Sequence, residues 1–131
     1  MITKDRVMPL LLQACPSFQS AWQRHVGTEG EDSLYVSLGN FAEHLLELYQ
    51  KNHTEEFPAV ADAIERIHVE GDQCVREAAT VGLLEGIQNV WPNKGVDPEL
   101  FYPFLRPQSA KLWQSLNDFW QGKIRFVGEG L

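Results

Sequence analysis

The chain is poor in cysteine, in basic charge and in long apolar runs, and each shortage removes a class of explanation. There are two cysteines in 131 residues, Cys15 and Cys74, far apart in sequence. Neither belongs to a C-x-x-C pair or has a His at zinc-finger spacing, which argues against a disulfide scaffold or a structural zinc. Two reduced, mostly buried thiols are expected, as in a reducing cytoplasm. Lys and Arg total 11 against 18 Asp and Glu, a net charge of −7. Binding phosphates takes clustered cations, so no nucleic acid partner is expected. The acid excess suits a basic protein better. No run approaches the roughly 20 apolar residues of a membrane span. Val7–Leu12 is interrupted by Pro9 and is shorter than the roughly 7–15 residues of a signal core. No membrane contact is expected, and the location implied is cytoplasmic.

Aromatics, by contrast, are plentiful. Four Trp and seven Phe in a chain that is 44% hydrophobic supply a core without covalent staples. The length fits one domain, over 1–122, followed by an extension or tail over 123–131.

Apolar residues recur at helical spacing almost throughout, which predicts an all-α fold of about six to seven helices. A first helix runs from Thr3 to about Ala14 and is broken at Cys15-Pro16-Ser17. A second reaches about Val26, and Gly27–Asp32 reads as a polar loop. The third, about Ser33 to Lys51, is amphipathic. Leu34, Leu38, Phe41, Ala42, Leu45, Leu48 and Tyr49 share one arc, and Asn40, Glu43, His44 and Glu47 the opposite one. A fourth begins at Thr54 or Phe57 and is expected to end in a left-handed cap at Gly71. Asp72 then caps a nearly all-apolar helix to Trp91, which should be the central one. Gly82 and Gly86 lie on its apolar stripe and read as close-approach points for a neighbouring helix. Asp97-Pro98-Glu99 opens a short helix, and Pro107 a last one.

Asp72-x-x-Val75-Arg76-x-x-Ala79-x-x-x-Leu83-x-x-x-Ile87 resembles the second helix of a HEAT-type repeat. That likeness implies an Asp cap, an inter-repeat core of Val, Ala and Leu, and an Arg able to pair with a neighbouring repeat. No second copy of the signature follows, so a compact α-α superhelical domain is expected rather than a regular solenoid. More of the chain resembles an uncharacterised bacterial all-helical domain family. The resembling pieces are Ala14-Cys15-Pro16-Ser17-Phe18, Leu38-Gly39-Asn40-Phe41-Ala42, Glu55-Glu56-Phe57-Pro58-Ala59-Val60, and Val81-Gly82-Leu83-Leu84-Glu85 with Gln88-Asn89. The resemblance implies a fold and no activity. Small acidic proteins of this sort also resemble toxin-neutralising immunity proteins.

No motif carries catalysis, a cofactor or a metal. Glu43-His44-x-x-Glu47 lacks the second His of a zinc-protease helix. The candidate partner-binding residues are Asn40, Glu43, His44 and Glu47 on the third helix, with Glu77, Glu85, Gln88 and Asn89 on the polar edge of the central one. The expected function is a non-enzymatic protein-interaction domain, monomeric or homodimeric, of the immunity or regulatory kind. The rival is a ligand binder or enzyme using a polar cleft between those two helices. His68 reads as a core histidine with both ring nitrogens satisfied. Phe101, Tyr102, Phe104 and Trp113 would form a docking patch if they clustered at the surface.

Overall fold

The computed structural model describes residues 1–29 and 34–131, with the backbone alone for 25–29. The expected loop at Gly27–Asp32 and the start of the third helix therefore lie partly outside the described residues. Among the described residues, seven α-helices account for most of the structure: α1 (Lys4–Ala14), α2 (Gln19–Glu29), α3 (Leu34–Gln50), α4 (Phe57–Glu70), α5 (Gln73–Glu77), α6 (Glu85–Asn93) and α7 (Pro107–Trp120). Short 3₁₀ turns at Pro16–Phe18, Pro98–Leu100 and Tyr102–Phe104 link them. The fold is all-α, as the apolar spacing predicts. Among the described residues, no helix is long and apolar enough to cross a membrane.

The expected central helix is built from three consecutive pieces. α5 passes into a π-helical stretch, Ala78–Leu84, which passes into α6. The Asp72 carboxylate accepts from the Val75 N–H at 2.8 Å and supplies the expected cap. α3 packs along the π stretch and α6, while α4 and α7 also contact the π stretch. The glycines explain how α3 comes so close. A Cβ on Gly82 would lie 3.1 Å from Leu38 Cδ1 and 3.2 Å from Tyr35 Cδ1. One on Gly86 would touch Ala42 Cβ at 3.7 Å. Beyond them, the Trp91 indole N–H donates to the Ala42 carbonyl at 3.3 Å. Phe41, Leu45, Ile64, Leu83, Ile87, Trp91 and Trp113 are among the fully buried side chains of the single core.

Two expectations, at Gly71 and Cys74, are corrected, and the condition for an aromatic patch is not met. Gly71 does not adopt a left-handed cap: it is extended, at φ −73° and ψ 154°, and pairs in parallel with Ile2. Its glycine is required by crowding, because a Cβ would collide with the Ile67 carbonyl oxygen and lie 2.6 Å from Val75 Cγ1. Phe101 and Trp113 form no surface patch. Both are buried, and Phe101 packs edge-on against Phe57 and Trp91 at 5.4 and 5.8 Å between ring centroids. Cys74 is exposed, whereas Cys15 is buried, and both are free thiols. The tail resolves into a docked extension. The Gly128 N–H donates to Ser115 Oγ at 2.6 Å, and Val127 packs on the core.

Candidate functional site

Two chains of polar side chains cross the helices. The first lies where α1 turns into α2. Pro16 cannot donate, and the 3₁₀ turn it opens leaves the Ser17 N–H without a helical partner. That N–H donates to Glu56 Oε1 at 3.2 Å, from the residue preceding α4. The Ser17 hydroxyl donates to Glu56 Oε2 at 2.7 Å, and the Cys15 thiol donates to the same oxygen at 2.9 Å. With its proton committed, Ser17 Oγ accepts from His44 Nε2 at 2.9 Å. Burial pushes the Cys15 thiol up to about 12, aided by the neighbouring Glu56. Burial raises the Glu56 carboxyl too, but hydrogen bonds from Cys15 and Ser17 outweigh it, and the net shift is downward. Burial lowers His44. A protonated thiol and a histidine that donates to the serine do not make a nucleophile. The cluster is a clasp between two corners of the fold.

The second chain runs through the interior. Glu65 on α4 reaches the first turn of α7, where its carboxylate accepts from the Gln108 and Ser109 N–H groups at 3.0 and 2.9 Å. The Ser109 hydroxyl also donates to Glu65, at 2.9 Å. Ser109 Oγ therefore accepts from His68 Nδ1 at 2.9 Å, which leaves Nε2 to accept from the Thr80 hydroxyl at 3.1 Å. Every proton in the chain points from the π stretch towards Glu65. Both ring nitrogens of His68 are satisfied, and burial lowers it to about 4. Hydrogen bonds from the start of α7 hold Glu65 low in spite of its burial.

Thr80 and His68 form the floor of a cleft of about 460 Å³. Arg76 and Glu77 stand on it from the central helix, Gln108 and Leu112 from α7, and Val127 from the tail. Val81 lines the cleft and is also 40% exposed, though its neighbours in the π stretch are buried. Tyr35 of α3, next to Gly82, is 45% exposed. Burial raises the Tyr35 phenol, with the charges of Glu77 and Cys74 adding to it. Cys74, Glu77 and Val81, all exposed, form an outward stripe beside Tyr35 along the central helix. Its π geometry is a feature frequent at functional sites.

The residues proposed from sequence do not act as one group. His44 reaches Ser17 at the α1–α2 corner. Glu43 and Glu47 are exposed, and Asn40 is half-buried. Gln88 donates to the Trp113 carbonyl and to Asn117 Oδ1 at 3.4 and 3.3 Å, and so faces α7. Glu85 is half-buried, which raises its carboxyl, and Asn89 is exposed. Glu77 lines the cleft. Among the described residues, no group of three or more His, Cys, Asp and Glu is placed to hold a metal. Thr80, Ser109, Glu65, Ser17 and Glu56 were not among the sequence candidates. Ser17 and Glu56, and Glu65 and Ser109, meet across 39 and 44 positions, and Thr80 meets His68 from the next helix, pairings for which periodicity carries no signal.

A family model described as a domain of unknown function (DUF7674) matches residues 8–121. The chain belongs to that family. No curated protein and no solved structure matches it.

Proposed function

We propose that the protein is a non-enzymatic protein-interaction module, of the immunity or regulatory kind, acting in a reducing cytoplasm. Its docking surface is the outward stripe of the central helix. The observation that carries this reading is the exposure of Val81 and Tyr35, at 40% and 45%, beside a cleft with a polar floor. The π stretch, buried at its other positions, exposes apolar surface here, edged by charge, which is the composition of an interface core and rim. Glu77 and Glu85 on the same helix, with the net charge of −7, favour a basic partner.

Cys74 supplies the test. It is exposed and Cys15 is buried, so a maleimide photo-crosslinker attaches at the stripe alone. One protein should be captured repeatedly from the native lysate and should bind again when purified. Val81→Asp should abolish capture while the far-UV spectrum stays unchanged. Capture that survives Val81→Asp and Tyr35→Ala together rejects this surface.

A further inference from the structure

We propose that the cleft beside Val81 is a subsite for a carboxylate carried on an aliphatic group, the chemistry of a chain's C-terminal Leu or Val. The inference rests on the protein-interaction reading and deepens it.

Arg76 is the first observation. Arg66, Arg106 and Arg125 each pair with a carboxylate, at 2.9, 2.7 and 3.2 Å. Arg76 has no such partner among the described residues, and it lines the cleft. A guanidinium free of acid partners presents the planar fork that a carboxylate matches with two parallel hydrogen bonds. Glu77, its neighbour in sequence, is near enough to Tyr35 for its charge to act on the phenol. Glu77 lines the same cleft, so the arginine stands there beside one acid with which it forms no ion pair.

The second observation is the floor. Thr80 has given its proton to His68, so its remaining lone pairs are acceptors for a ligand N–H. His68 is neutral and adds no second cation. Val81, Leu112 and Val127 supply an apolar wall. One cation, one fixed acceptor and an aliphatic wall describe a peptide end. A phosphate group calls for more positive charge than one arginine with an acid beside it. The volume of about 460 Å³ lies in the range of small-ligand sites and holds one or two residues.

The test uses the full chain and methyl NMR of Val81, Leu112 and Val127. The probes are acetyl-glycyl-leucine, its C-terminal amide, and isovalerate. Acetyl-glycyl-leucine should shift these methyls, and the amide should bind about tenfold more weakly. Arg76→Gln should weaken the acid by about the same factor and leave the amide unchanged, whereas Arg106→Gln should change neither. Binding of acetyl-glycyl-leucine without isovalerate assigns the subsite to a chain terminus. Equal binding of both keeps the carboxylate subsite and assigns it to a small free acid. The proposal is overturned by equal binding of acid and amide, by an unchanged Arg76→Gln variant, or by no shift at these methyls. If that failure accompanies partner capture that is lost in Val81→Asp, the docking surface stands and only the subsite falls.

Discussion

Ser109 Oγ lies 2.9 Å from His68 Nδ1, and this buried bond joins α4 to α7. Its direction is fixed from outside the pair. Ser109 spends its proton on Glu65, so His68 must donate from Nδ1 and accept from Thr80 at Nε2. Neutral imidazole satisfies that arrangement as it stands, whereas imidazolium would make the Thr80 hydroxyl turn to accept and would leave a charge in the buried core. Satisfying all three hydroxyl and ring partners at once is what makes the chain stabilising rather than a burial cost.

Acid should therefore loosen the fold. His68 is lowered to about 4 from 6.5, so between those values the unfolded chain binds more protons than the folded one. Its contribution is complete above pH 6.5 and declines as the pH falls towards 4, by about 3 kcal/mol in all. Glu65 and Glu56, also lowered, add stability above pH 4.5 that is lost as the pH drops through their folded values. Urea midpoints measured from pH 7.5 to 3.5 should fall from about pH 6.5 downwards, and His68→Gln should flatten the upper part of that slope. A flat profile in the parent protein between pH 6.5 and 4 rules out the neutral buried imidazole.

The clasp at Glu56 makes a chemical prediction. Cys15 is buried and holds its proton, so a native-state alkylation should modify Cys74 alone. Glu56→Ala removes the acceptor for Cys15, Ser17 N–H and Ser17 Oγ together and should cost about 1–3 kcal/mol. It should also bring Cys15 into reach of the reagent through local opening of the α1–α2 corner. Timed mass spectrometry of alkylated protein reads both thiols. Equal labelling of Cys15 and Cys74 in the parent protein would contradict the clasp.

Two glycines should answer oppositely to alanine. At Gly71 a Cβ meets the Ile67 carbonyl and Val75, so Gly71→Ala should lose at least about 2 kcal/mol, since the obstruction is partly backbone. At Gly39, inside α3, a Cβ meets nothing within 4 Å, and Gly39→Ala should gain up to about 1 kcal/mol of helix propensity. Thermal midpoints of the two variants moving in the same direction would refute the packing described at one of the sites.

The helices were legible because their information is local. The arc of Leu38, Phe41, Ala42 and Leu45 names the face α3 buries, and Asp72 before Val75 names a cap. Gly82 and Gly86 were readable as close approaches for the same reason: a glycine on a buried helical stripe has few other uses. Gly71 was not, because its need comes from an extended backbone that crowds it against the Ile67 carbonyl and Val75, and from sequence it resembles any helix-ending glycine. The polar chains were invisible for a related reason. Glu65 meets Ser109 across 44 positions, and Ser17 meets Glu56 across 39. Nothing periodic marks either pair. Cys74 illustrates the limit of frequency arguments, since cysteine is usually buried and this one is not. Of the site, Glu77 is legible on the polar edge of the central helix, but nothing in a nearly all-apolar helix marks Val81 as its exposed apolar residue.

The π stretch offers the sharpest separation of stability from binding. Over a given rise a π turn carries more residues than an α turn, and Val81 is the residue that Ala78–Leu84 turns outward. Deleting Val81 should let the segment close into an ordinary α-helix, with Thr80 on one flank still facing His68 and Gly86 on the other still facing Ala42. The thermal midpoint should stay close to that of the parent or rise. Capture of a partner through Cys74 should nevertheless be lost, because the stripe loses its apolar centre. An unfolded deletion variant would show instead that the seven-residue stretch is needed to seat the buried helix. A folded variant that still captures its partner would remove Val81 from the docking surface.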